Sequence, residues 1–241
     1  MKIPKERFDA WVAEVQPEDE NLTSSRVAKL AGISKSSFFF QRGKGYVEGT
    51  TVIALSRALN LSPLDELVKF DGLEIFRPFE QPSLEEVLSQ LRPESLMVEL
   101  LGRLQNQAAD HQLPDMPDMP ETFGLKQWLD TTDLHGQYGQ LAKVMGLASK
   151  QVLSKKINEN RLTLEQLVTL CDFGHLNARL GLVITGMMDW EEVGLSSNTR
   201  EKVLSEAPGQ LVIDALMRSR RWLERDIQVK ELESGVHRNL G

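Results

Sequence analysis

The stretch Thr23–Leu67, TSSRVAKLAGISKSSFFFQRGKGYVEGTTVIALSRALNLSPLDEL, decides how this chain folds. Ala28 is followed four and five residues later by Gly32 and Ile33. That spacing suits two short helices meeting at a sharp turn: a small residue lets them touch, a Gly takes the left-handed conformation, and an apolar residue pins the elbow. Ser34 is a ready N-cap for a helix opening on Lys35, Ser36 and Ser37. Further on, Ser62 caps a helix with Pro63 at its first position and Asp65 and Glu66 in its first turn, where the helix dipole favours acids.

The stretch resembles the DNA-binding domain of the Cro/CI type, the XRE family, through Thr23, Ala28, Gly32-Ile33-Ser34, Gly43 and Ala58-Leu59-Asn60-Leu61-Ser62. The resemblance implies a five-helix module whose third helix enters the major groove, with short polar and basic residues at its N-terminus facing bases and phosphates. Between Gly32 and Gly43 the chain is one residue shorter than the family pattern. On this reading Arg26, Lys35, Ser36, Ser37, Gln41, Arg42 and Lys44 contact DNA. Phe38, Phe39 and Phe40 cannot share one face of a helix turning about 100° per residue. Phe38 is assigned to the core. Phe39 or Phe40 either packs on a thymine methyl, as apolar side chains do in the major groove, or is buried against Tyr46 or the linker helices; Phe39 is the candidate contact.

The pattern returns downstream. Leu125, Trp128 and Leu129 repeat the spacing of Phe8, Trp11 and Val12, and Ala142 and Gly146-Leu147 repeat Ala28 and Gly32-Ile33 at a displacement of 114 residues (142 − 28; 146 − 32). Two anchors at one displacement mark an internal repeat. The second half also resembles the XRE family, with Lys150, Gln151, Ser154, Lys155, Asn158 and Arg161 as the DNA-contact candidates. Thr163 and Gln166 form a capping box for the following helix. Glu159 stands where the family carries a Gly or a basic residue.

Charge distribution supports two basic modules in an acidic chain. The 241 residues carry a net charge of −7. Leu22 to Phe70 holds seven Lys/Arg against three Asp/Glu, or +4, and Gly136 to Gly186 holds six against three, or +3. Asp71 to His135 has four basic and thirteen acidic residues, or −9. Local field steers a protein onto DNA more than total charge does.

Pro4 opens an amphipathic first helix with Phe8, Trp11, Val12 and Val15 on one face. Ser83 to Glu86 is a capping box before a helical hairpin that restarts at Pro93. Leu113–Pro120, LPDMPDMP, has three prolines and reads as a stiff interdomain linker. After Gly174 the alternation of Leu176, Ala178, Leu180, Leu182 and Ile184 argues for a strand, with helix as the alternative because Val183 breaks it. The tail from Asn198 to Leu232 reads as helix, its apolar stripe either packing on the second module or joining two chains.

The expectation is a mainly α protein. Residues 1–76 form a helix-turn-helix domain, 77–120 an acidic helical segment and linker, and 121–241 a second such domain with a C-terminal strand and helical tail. The expected function is sequence-specific binding of double-stranded DNA by a transcriptional repressor, and the first module also looks like repressors of actinobacteria and their temperate phages, which suggests phage immunity. One chain on an asymmetric site is the preferred assembly, with a homodimer through the C-terminal strand or helices as the alternative. The competing function is a protein-interaction module, an antitoxin or antirepressor with one degenerate unit. No nucleotide loop, nucleophile motif or metal constellation is found, so no enzyme activity, cofactor or metal is expected. Cys171 reads as a core residue. With no membrane-length apolar run and no signal-peptide pattern, the cytoplasm is the expected location.

Overall fold

The computed structural model describes residues 1–17, 21–105 and 124–219. They are mainly helical, with one small antiparallel sheet of two strands, β1 (Lys2–Pro4) and β2 (Tyr46–Glu48), in which Ile3 faces Val47. The chain clusters into two compact units that are discontinuous in sequence. The first takes 1–81, 137–157 and 161–195; the second takes 82–136, 158–160 and 196–241.

The first unit begins with α1 (Lys5–Val15), α2 (Ser24–Leu30), α3 (Lys35–Gly43), α4 (Gly49–Ala58) and α5 (Pro63–Leu67). Three of these short helices, α2, α3 and α5, start at a side-chain cap: Thr23, Ser34 and Ser62 accept the backbone N–H of Arg26, Ser37 and Asp65. Pro4 lies just outside α1, ending β1, because its fixed φ also suits extended backbone. The core is built on Phe8, whose ring lies 5.6 Å from that of Trp11 and 6.1 Å from that of Phe38. Trp11 Nε1 donates to Glu66 Oε2 at 2.7 Å, which satisfies both polar groups in a buried site.

The same unit contains α9 (Tyr138–Val144), α10 (Lys150–Asn158), α11 (Leu164–Gly174) and α12 (Ala178–Ile184). These repeat α2 to α5 in geometry. Gly32 and Gly146 have φ of +65° and +66°. Ile33 N donates to Ala28 O at 3.0 Å, and Leu147 N to Ala142 O at 2.8 Å. Past the turn the displacement becomes 115 residues (149 − 34; 164 − 49). Asn60 and His175 are both left-handed, at φ 56° and 50°. Leu61 N donates to Ser56 O at 2.9 Å, and Leu176 N to Cys171 O at 3.0 Å. Cys171, like Ser56, is buried.

The segment expected as a strand is thus the helix α12. Asn177 caps it, accepting Leu180 N at 2.9 Å as Ser62 does for α5. Ala178, Leu180, Gly181, Leu182 and Ile184 are all buried, so apolar residues surround the helix and no 3.6-residue stripe is left to read. The strand route to a homodimer goes with it. The sheet that does form was not expected, since three-residue strands carry too little pattern to read.

The second unit holds α6 (Leu84–Leu88), α7 (Pro93–Leu104), α8 (Gly124–Leu129), α13 (Thr199–Glu206) and a helix over 209–219. The capping box at Ser83 and Glu86 is formed in full. Leu88, Leu91 and Leu96 pack with Leu204, Val212 and Ala215, so the described part of the tail covers the α6–α7 hairpin. Trp128 Nε1 donates to Glu86 Oε1 at 2.9 Å. The linker at 113–120 and the tail beyond 219 lie outside the described residues.

Candidate nucleic-acid interface

In the first repeat the turn at Gly32 delivers the N-terminus of α3 to the surface. The Ser34 hydroxyl accepts Ser37 N at 3.1 Å and lies 3.1 Å from the Ser36 hydroxyl. Lys35, Ser36 and Ser37 are exposed around this capped turn, and Arg26 is exposed on α2. Phe38 is fully buried, whereas Phe39 and Phe40 are 50% and 62% exposed. The Lys44 ammonium stands 5.2 Å from the centre of the Phe40 ring, a cation–π contact on that ring.

Two candidates are placed differently from the expectation. Gln41 is buried, and its side-chain carbonyl accepts Glu48 N at 3.1 Å, so it ties α3 to β2 rather than facing outward. A helix of nine residues must have an inward face, and Gln41 follows buried Phe38 by three positions. Arg42 is half-buried and forms a bidentate pair with Asp9 of α1, its Nη2 standing 2.9 Å from Oδ2. Its guanidinium also lies 5.5 Å from the centre of the Phe38 ring. Asp9 orients Arg42; nothing in the local sequence signals a contact 33 positions away.

In the second repeat Lys150 and Gln151 are exposed in the first turn of α10, which Ser149 caps by accepting Val152 N at 3.4 Å. Lys155, Asn158 and Arg161 are also exposed, and Ser154 is half-buried. Leu153 and Ile157 face inward. Lys156 is half-buried and donates to Arg161 O at 3.4 Å. Val152, exposed at the position of Ser37 (152 − 37 = 115), was missed as a candidate. Only the shifted displacement past the turn could have singled it out.

Among the described residues no cluster of His, Cys, Asp or Glu could hold a metal ion, and no helix is long and apolar enough to cross a membrane. No known family, characterised protein or solved structure matches the chain.

Proposed function

We propose that the chain binds double-stranded DNA in a sequence-specific way and acts as a transcriptional repressor, a phage immunity repressor being the role the sequence resemblance favours. One observation carries the reading: the turn of Gly32 and the turn of Gly146 share one geometry, and each delivers a capped helix with an exposed polar and basic first turn. Helix pairs of this kind place the second helix in the major groove. The basic balance of the two repeats in an acidic chain supports it further. The exposed residues of α3 and α10 differ, so one chain would read an asymmetric site of two unlike half-sites.

The test is selection of bound fragments from random duplex DNA, followed by a salt titration on the selected site. With about six to ten phosphate contacts, affinity should fall by roughly 10³ to 10⁵ between about 50 and 200 mM salt. A shallow slope, or no enriched sequence, would overturn the reading.

A second reading has its own support. Val98, Leu101 and Leu104 line an exposed apolar face of α7, with Leu104 81% exposed, as a protein-binding antirepressor would present. In that case binding would be governed by α7 substitutions and be indifferent to changes at Lys35, Gln151 and Lys155.

A further inference from the structure

We propose that α4–α5 of the first repeat and α11–α12 of the second pair about a local two-fold-like axis, and that this pairing, rather than the proline-rich linker, fixes the distance between the DNA-reading helices. The inference rests on the DNA-binding reading. It adds the class of DNA taken: a duplex with two unlike half-sites at a single spacing and rotational phase.

The signature of a two-fold interface is that a residue near the axis touches its own mate, while other contacts occur in reciprocal pairs. Both occur here. Gly49 and Leu164 are mates at the displacement of 115, and they touch: a Cβ built on Gly49 would stand 2.6 Å from Leu164 Cδ2. The absent side chain at Gly49 is what lets the other repeat approach. The contacts flanking this point are crossed. The 3-10 turn Glu74–Phe76, which follows α5, packs on α12, and the 3-10 turn Glu191–Val193, which follows α12, packs on α5.

Polar clamps hold the pairing. Arg57 of α4 donates to both carboxylate oxygens of Glu192, at 2.6 and 2.5 Å, and to Met187 O at 2.9 Å. From the other repeat, Arg179 donates to Phe76 O at 2.9 Å and Arg77 O at 2.6 Å, and Asn177 to Glu80 O at 2.9 Å. Guanidinium groups spread over several acceptors fix orientation as well as distance. Two modules so held cannot follow half-sites that move apart, whereas a flexible tether could.

The experiment uses the full chain and its selected duplex, with base pairs inserted between the half-sites. Any insertion, including a full turn of about 10 base pairs, should lower affinity to that of one module, a loss of roughly 10²- to 10⁴-fold. Adding Gly/Ser residues within 113–120 should leave this spacing preference unchanged. Recovery of affinity at a full-turn insertion, or a preference that shifts with linker length, would overturn the proposal. Pairing is also tested without DNA. Arg57→Glu should lower the melting temperature, and the charge swap with Glu192→Arg should restore it; no restoration counts against the pairing. Should the swap succeed while no DNA is bound at all, the DNA-binding reading has failed and the proposed substrate falls with it. Tight binding that tolerates every spacing would instead sink the rigid pairing alone.

Discussion

Arg57 and Glu192, 135 positions apart in sequence, form a bidentate ion pair whose closest contact is 2.5 Å. Their hydrogen bond holds the Glu192 carboxyl below the usual carboxylate range and raises the Arg57 guanidinium further. A carboxylate depressed in the folded state adds stability above its unfolded pKa and loses it as pH falls through the folded value. The expected outcome is a lower melting temperature on acidification below the ordinary carboxylate range. The Arg57 side chain is 42% exposed, so screening limits the loss to about 1 kcal/mol, or about 2–4 °C for a chain of this size. Glu192→Gln should show that loss already near neutral pH and flatten the acid limb; an unchanged limb in melts across pH would refute the assignment.

Gly32 and Gly146 allow the two turns to be compared directly. A Cβ would meet nothing within 4 Å at either, so Gly→Ala isolates the backbone cost of the left-handed conformation. Each substitution should destabilise by about 1 kcal/mol, the left-handed penalty less the gain from a stiffer unfolded chain. Denaturant titration of the two variants should give matching losses. A clear inequality would mean that the two turns differ in ways their shared φ does not reveal.

These turns were also the most legible part of the sequence, for the same reason: a positive φ favours Gly, and an elbow favours an apolar residue just after it. Caps at Ser34, Ser62, Ser83 and Thr163 were legible because side-chain oxygens declare helix starts locally. α12 was misread because burial on nearly all sides erased its helical period. The repeat was not followed into α12, because the same burial hid its match to α5. Arg57 carries no local signal, and Gln41 and Arg42 looked like groove contacts. Their partners Glu192, Glu48 and Asp9 are set by folding, which local pattern does not encode.

Trp11 offers a test of the first core. Its indole N–H is bound to Glu66, whose carboxylate also takes Lys69 Nζ at 2.8 Å. Trp11→Phe keeps most of the ring but removes one donor from a buried carboxylate, at a cost of about 1–3 kcal/mol. The Glu66→Gln, Trp11→Phe double variant should lose less than the sum of the two single losses, because the second change removes a group already left short of a partner. Strict additivity in a double-mutant cycle would argue against a coupled pair.

Positioning and reading should separate by residue. Lys44→Ala removes an exposed cation and should weaken binding to every sequence alike, whereas Gln151→Ala should relax preference at particular bases by about 1–3 kcal/mol. Ser37→Ala should do so by less, since a single hydroxyl supplies fewer bonds than an amide. Arg42→Ala should cost folding stability as well, because it strips Asp9 of its partner. Binding to selected and scrambled duplexes distinguishes these outcomes. Equal losses on both duplexes for all four variants would mean that α3 and α10 are not the reading helices.

Phe39 gives the sharpest test of groove contact. Its neighbour Phe38 is fully buried, and Phe40, exposed like Phe39, carries Lys44 over its face. Its ring centre lies 6.4 Å from that of Phe38, edge to face, which steadies the side chain without covering it. A ring at this position would bury a thymine 5-methyl group, and one methyl-sized group taken out of water is worth about 0.8 kcal/mol, or roughly fourfold in affinity. Replacing the contacted thymine by uracil should therefore weaken the wild-type protein about fourfold and leave a Phe39→Ala variant indifferent. Phe39→Ala should fold normally, since half its surface is already in water. If uracil weakened both proteins equally at every thymine of the selected site, Phe39 would be no more than an exposed aromatic, and the first turn of α3 would have to read the site through Lys35, Ser36 and Ser37 alone.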